Sequence, residues 1–321
     1  MSSVARILAL AGLLRGAAGV YLGTNVSMGT YPNFATLLYV KNGGTYICGG
    51  WLADPRHVVT AAHCVGDDSG NLNAASQYYV YFNKVPTMVP FQPQPSYVAS
   101  ALFAHPLYGS TVDSNDVGVV RLAADVPGIS PWSYLKTDSL PSVTECTLYT
   151  LIGHGQTCDG GCLSDTLQRT TMPKLNNVHC QQSSLADTNL WPASVIGTDV
   201  CFGHVPPCSA GFSTSQSHAC AGDSGGPAFD ASGTVAALVS RGSSKPCTQT
   251  TMPDIYTSIG HITNADWIAS TLAAAYVPPS PPPPPQPPVR SSAPVYYIVS
   301  SGVHHRLYRL FPVLVCALAL L

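Results

Sequence analysis

Along the middle of the chain, apolar runs of five or six residues alternate with clusters of Gly, Pro, Asn and Asp. Thr36 to Val40, Tyr78 to Phe82, Val117 to Leu122, Thr147 to Ile152 and Val235 to Val239 all have this form. Short runs rich in β-branched and aromatic residues and closed by turn formers predict strands. A helical period shows only near the end, where Ile262, Trp267, Ile268 and Leu272 stand at roughly helical spacing within Ile262 to Ala274. That stretch predicts one terminal helix packed on the body. The expected class is all-β, with meanders closed into barrels or sandwiches.

The two ends break this pattern. Residues 1–19 read as a secretory signal: Arg6 supplies positive charge, Ile7 to Leu14 is a short apolar run and Ala17-Ala18-Gly19 is a small-residue cleavage region. From Val277 the sequence becomes a proline-rich linker over residues 277–294, which stiffens into polyproline and cannot pair into a sheet. Residues 295–321 form a tail in which small residues Ser300-Ser301-Gly302 precede a polar spacer and the apolar stretch Leu310 to Leu321. That order fits a glycolipid-anchor signal, with a cleaved or tail-inserted terminus as the alternative. The folded domain is therefore expected over residues 20–276.

Composition narrows the class. The chain has 321 residues, 45% of them hydrophobic and only 9% charged, with a formal net charge of -2. A core is affordable, and no basic surface offers itself to nucleic acid. Eleven cysteines without paired C-x2-C knuckles point to an oxidising compartment and disulfides. Cys158 and Cys162 with His154 and His204 are the one zinc alternative; disulfides are the better reading, and neither a metal nor a cofactor is expected. If the tail is removed with Cys316, ten cysteines remain. Asn25-Val26-Ser27 is the sole glycosylation sequon.

Three stretches carry candidate chemistry. In Gly222-Asp223-Ser224-Gly225-Gly226-Pro227 a serine sits among small residues, where a carbonyl can approach and main-chain N–H groups can face an oxyanion. Alone this is also a common turn composition. Thr60-Ala61-Ala62-His63-Cys64 ends a strand on an imidazole flanked by alanines, and Asn115-Asp116-Val117 places a carboxylate at the head of an apolar strand. A half-buried carboxylate there needs a donor, and an imidazole N–H suits it. Asp113 competes but lacks the following apolar strand. Taken singly, His63 reads as a structural histidine and Asp116 as a cap. Their joint occurrence in His, Asp, Ser order removes that reading.

With these motifs the chain resembles the trypsin-like (chymotrypsin-fold) serine protease family over about Val20 to Tyr276. The resemblance implies two six-stranded antiparallel β-barrels with a C-terminal helix and the active site in the cleft between them. It implies Ser224 as nucleophile, His63 as general base and then acid, Asp116 as the group that orients the imidazole, and Gly222 and Ser224 N–H as the oxyanion hole. Val239-Ser240-Arg241-Gly242 falls where the family pairs with substrate backbone, with Arg241 in place of an aromatic residue. There it is expected either to favour acidic groups or to lie solvated.

The specificity pocket would be framed by Ser240, Gly242 and the Cys220–Cys247 disulfide, with His218 at its base and Asp254 replacing a common glycine. A His218–Asp254 pair would favour a mid-sized apolar or polar side chain, the expectation ranked first. A free His218 would favour an acidic one and a free Asp254 a basic one. In the family a new amino terminus binds the aspartate before the serine. Here the matching segment is Val20-Tyr21-Leu22-Gly23 and the acceptor is Asp223. No Arg or Lys precedes Val20, so signal peptidase cutting after Gly19 is expected to expose the amine. The resemblance also implies Cys48–Cys64 and Cys180–Cys201, leaving Cys146, Cys158, Cys162 and Cys208 with three connectivities.

The functional expectation is a secreted, surface-anchored monomeric endopeptidase. Its partners are protein or peptide substrates and macromolecular inhibitors, and it meets the membrane only through a C-terminal lipid anchor. The alternative is a protease homologue without turnover that binds or inhibits, suggested by Leu22 in place of a glycine and by Arg241.

Overall fold

The computed structural model describes residues 20–67, 69–82, 96–109, 115–158, 162–185, 197–208, 217–242, 246–249 and 252–274. The signal, linker and tail readings, Cys316 and Asp113 lie outside the described residues.

After a two-residue strand β1 (Thr24–Asn25), six strands close the first barrel. They are β2 (Phe34–Lys41), β3 (Gly44–Asp54), β4 (His57–Thr60), β5 (Tyr78–Phe82), β6 (Tyr97–Ala104) and β7 (Gly118–Leu122). Around the barrel they run β2-β3-β4-β7-β6-β5, every pair antiparallel. Local chemistry sets the two tight turns. Asn42 and Gly43 both take positive φ, 52° and 78°, the backbone that an Asn-Gly hairpin turn supplies. In the next turn Asp54 Oδ1 accepts the N–H groups of Arg56 and His57.

The second barrel uses β8 (Leu148–Gly153), then the hairpin β9 (Gln156–Cys158) and β10 (Cys162–Leu163), then β11 (Gln168–Leu175), helix α1 (Asn177–Leu185) and β12 (Asp199–Phe202). It is completed by β13 (Pro227–Phe229), β14 (Val235–Arg241) and β15 (Asp254–Ser258). The strands order as β11-β12-β15-β14-β13-β8, β8 pairs back onto β11, and β1 adds to the outside of β11. The chain thus has the expected two six-stranded antiparallel barrels.

Helix α2 (Ile262–Ala273) follows and buries Ala265 and Ile268. It joins the barrels: Asn264 Nδ2 donates to Ser258 O of the second, while the Trp267 ring packs edge-on against His105, just after β6 of the first. Arg121 Nη2 on β7 donates to the carbonyl of Ala274, the last of the described residues, at 3.0 Å. Among the described residues no helix is long and apolar enough to cross a membrane.

Cys48 bonds Cys64, Cys180 bonds Cys201 and Cys220 bonds Cys247. Of the four cysteines left open, Cys146 bonds Cys208, and Cys158 is also disulfide-bonded.

Candidate active site

Strand register brings the first two candidate residues together. The end of β4 lies beside the start of β7, with Thr60 opposite Gly118. A residue just after β4 therefore meets one just before β7. His63 sits on the 3-10 turn Ala62–Cys64, and its Nδ1 is 2.7 Å from Asp116 Oδ2, while its main-chain N–H donates to Asp116 Oδ1 at 3.0 Å. Ser240 Oγ donates to the same Oδ2 at 2.7 Å. Asp116 is 1% exposed. Burial, the largest influence, would raise its pKa. The His63 charge and the hydrogen bonds from His63 and Ser240 outweigh it and hold the carboxyl below its usual range. An ionised carboxylate only accepts, so the proton of this pair resides on His63 Nδ1.

Ser224 lies on the turn before β13, and that turn is stitched to both barrels. Gly49 N–H on β3 donates to Ser224 O at 2.7 Å, Gly225 N–H donates to Val239 O at 2.8 Å and Val239 N–H donates to Gly226 O at 2.9 Å. The approach allows no side chains. A Cβ on Gly49 would lie 2.9 Å from Gly226 Cα, and one on Gly225, whose φ is 76°, would overlap Thr60 and Gly49. The Cys48–Cys64 disulfide fixes the residue after His63 to β3, and Cys64 Sγ lies 3.7 Å from Ser224 O. Asp223 N–H and Gly226 N–H are turned onto the carbonyls of Cys220 and Asp223. Gly222 and Ser224, the assigned oxyanion donors, flank Asp223 in this turn. Cys48, His63 and Cys64 are the group of potential metal ligands among the described residues, but both sulfurs are in the disulfide.

Sequence reasoning placed Ser240 only on the substrate strand. Its hydroxyl is also the third partner of Asp116, a role that no local pattern shows because the two residues are 124 positions apart. A trypsin family model matches residues 21–268. The chain belongs to the trypsin family.

Among its relatives are chymotrypsin-like elastase family member 3B of Macaca mulatta, 30% identical over 76% of this chain and 90% of the relative. A trypsin of Saccharopolyspora erythraea is 32% identical over 60% and 74%, and proproteinase E of Bos taurus is 29% identical over 74% and 89%. These relatives are serine peptidases, which supports a hydrolase.

The other expected residues of this trypsin-family chain lie as follows. The His218–Asp254 pair does not form. His218 Nδ1 and Nε2 face the carbonyls of Ala219 at 2.7 Å and Cys247 at 2.9 Å, and Asp254 Oδ2 accepts Ala219 N–H at 2.8 Å. Main-chain partners within reach satisfy each group separately. Arg241 is neither solvated nor turned to substrate: its Nη2 is 2.6 Å from Asp199 Oδ2, with both side chains almost wholly buried. The branch toward an acidic substrate group is overturned for that reason.

Val20 is fully buried among Leu140, Tyr149 and Ala219, and Tyr21 forms a bridge with His218. Asp223 is fully buried too, and its oxygens accept Gly155 N–H at 2.7 Å and Cys220 N–H at 2.8 Å. Gly153 and Gly155 give it room, since a Cβ on either would overlap its carboxylate.

Burial raises Asp223 from 3.8 to about 7, despite its two main-chain hydrogen bonds and with the Asp254 charge adding to the rise, and burial raises Asp254 to about 8. Both groups hold protons in the folded chain that the unfolded chain has released above about 4. Their contribution to stability is complete below that pH and is lost as pH rises to about 8. Thermal melting of the uncut chain with Asp223→Asn or Asp254→Asn should show a flatter decline across this window than the unsubstituted chain.

Proposed function

We propose that this chain is a serine endopeptidase that cuts peptide bonds through an acyl-enzyme. The observation that carries the reading is the His63 imidazole held by Nδ1 on a buried, ionised Asp116 beside the stitched Ser224 turn. With Nδ1 protonated, Nε2 is the basic nitrogen. It takes the Ser224 hydroxyl proton as Oγ attacks the carbonyl, and later delivers that proton to the leaving amine. Asp116 stabilises the imidazolium formed in between. Gly222 and Ser224 N–H groups receive the oxyanion; loss of one such donor typically costs about 10²–10³ in rate. Water then repeats the sequence on the acyl-enzyme. Substrate backbone adds to the Ser240–Gly242 edge as an antiparallel strand.

The reading extends to maturation. Signal peptidase removes residues 1–19, and the new Val20 ammonium gives Asp223 the cation it lacks among the described residues. Leu22 does not oppose this, because it is 46% exposed and leaves the buried seat to Val20. Arg241, the other feature that favoured a binding protein without turnover, has a structural use in its pair with Asp199. The mature protein acts as a monomer at the cell surface, tethered through residues 277–294 by a lipid added in place of part of 295–321. It is open to macromolecular inhibitors of such sites.

The mature protein should digest an unfolded protein substrate and begin at Val20 on amino-terminal sequencing. A start at Ala17 or Gly19 would refute the maturation step, and equal digestion by Ser224→Ala would refute the mechanism.

A further inference from the structure

Among the described residues β1 is the outermost strand of the second sheet and pairs on one side, with β11, where Asn25 lies opposite Gln168. Gln168 is fully buried. Its Nε2 donates to Asn25 Oδ1 at 2.5 Å, and the Thr166 hydroxyl donates to the same oxygen at 3.3 Å. The Thr166 carbonyl, which can only accept, lies 3.2 Å from Gln168 Nε2 and so identifies that atom as the nitrogen. Asn25 therefore presents its oxygen to β11. Its Nδ2 is the other arm of a planar amide on an exposed residue, and among the described residues it meets no acceptor.

That amide belongs to Asn25-Val26-Ser27, the sole N-x-[ST] acceptor sequence in the chain. Ser27 is exposed, and its printed partners are held by main chain: its carbonyl accepts the N–H and the hydroxyl of Thr30. Leu22 and Met28, three residues to either side of Asn25, are 46% and 81% exposed. Open apolar side chains beside an edge strand invite another chain to add there unless something covers them. The disulfides Cys48–Cys64, Cys146–Cys208, Cys180–Cys201 and Cys220–Cys247 are of the kind that form in an oxidising, secretory compartment, where N-linked oligosaccharide is also transferred.

We propose that Asn25 carries an N-linked glycan and that the glycan covers the edge between Leu22 and Met28. The proposal rests on the secretory reading of residues 1–19 and is independent of catalysis. The co-reactant is a polyprenyl-pyrophosphate oligosaccharide. Nδ2 of the still unfolded chain bonds to the anomeric carbon of the first sugar as the bond from that carbon to the pyrophosphate oxygen breaks. Polyprenyl pyrophosphate leaves with the electron pair, and Nδ2 gives up one of its two protons to a base. The product keeps Oδ1 and one N–H. Gln168 and Thr166 thus find their acceptor unchanged when the chain folds, and the sugar occupies the arm turned away from them. A bulky, hydrated glycan at this place shields the open strand edge and its two apolar side chains.

The full chain, expressed from Met1 in a eukaryotic secretory cell and collected from the medium or the cell surface, tests this. Release with an N-glycanase in heavy-oxygen water should leave labelled aspartate at position 25 in most molecules, read by peptide mass spectrometry. Ser27→Ala should lose the label and the mass of one oligosaccharide while leaving the Asn25 contacts in place; Ser27→Thr should keep both. Asn25→Asp, which retains an oxygen for Gln168, serves as the unglycosylated form if Ser27→Ala is not secreted. On a hydrophobic-interaction column the unglycosylated form should be retained longer, and adding Leu22→Ser and Met28→Ser should reverse the delay. A delay that those two changes leave untouched overturns the covering role. Secreted, disulfide-bonded protein without label at position 25 overturns the proposal alone. Unlabelled protein held in the cytosol overturns it together with the secretory reading.

Discussion

Asp116→Asn is expected to lower kcat about 10⁴-fold, the size typical of this change in a Ser-His-Asp site, with little loss of folded protein. The geometry gives the reason. Oδ1 accepts the main-chain N–H of His63, a donor that cannot reverse, while Oδ2 accepts from His63 Nδ1 and from Ser240 Oγ. Asparagine must keep its oxygen at the Oδ1 position and therefore places its NH2 at the Oδ2 position. The Ser240 hydroxyl can rotate to accept from that NH2. His63 can adapt only by moving its proton from Nδ1 to Nε2, which removes the base proposed to act on Ser224. KM should change little, since Asp116 is almost wholly buried and out of reach of a substrate. A variant that keeps more than a tenth of the wild-type kcat would contradict the tautomer argument. Steady-state kinetics on one peptide amide decides it.

Asp199→Ala is expected to destabilise the protein by about 3–5 kcal/mol, because it leaves the buried Arg241 guanidinium without its carboxylate. Against a typical domain stability of about 5–15 kcal/mol this is a large share. Arg241 follows Ser240 on β14, so the loss should also loosen the strand that carries the third partner of Asp116. Replacing both residues with apolar ones of similar size should recover much of the stability, since neither desolvated charge remains. Denaturant unfolding of the two single variants and the double variant measures this, and additive losses would show that the pair is not coupled.

The strands that pack apolar residues on both sides of the barrel wall are legible in the sequence. Tyr78–Phe82 is bounded as the pattern predicts, and Val235 onward needs only the two polar residues Ser240 and Arg241 added to reach β14. Strand β11 is harder to read because it begins Gln168-Arg169-Thr170-Thr171. Gln168 is nonetheless buried, its amide donating to Asn25, Ser164 and Thr166, so polar bonding replaces the apolar signal there. Helix α1 carries no amphipathic stripe in Asn-Val-His-Cys-Gln-Gln-Ser-Ser-Leu and was not expected; the disulfide from Cys180 to Cys201 ties it to β12.

At the site, motifs fixed which residues to watch, and register fixed where they meet. Partners set by long-range folding were not legible. Arg241 and Asp199 lie 42 positions apart, and an arginine at a strand end reads as solvated unless its partner is known. His218 and Asp254 could be drawn as a pair from the sequence. Main-chain groups nearer to each of them keep them apart.

The central claim is that Ser224 is activated by His63 and Asp116. Treating the mature protein with a fluorophosphonate and mapping the adduct by mass spectrometry tests it directly. The account predicts one adduct, on Ser224 Oγ, formed at a rate that falls at least about a hundredfold in His63→Ala. Labelling spread over other serines, labelling unchanged in His63→Ala, or no labelling of a protein that begins at Val20 would contradict it.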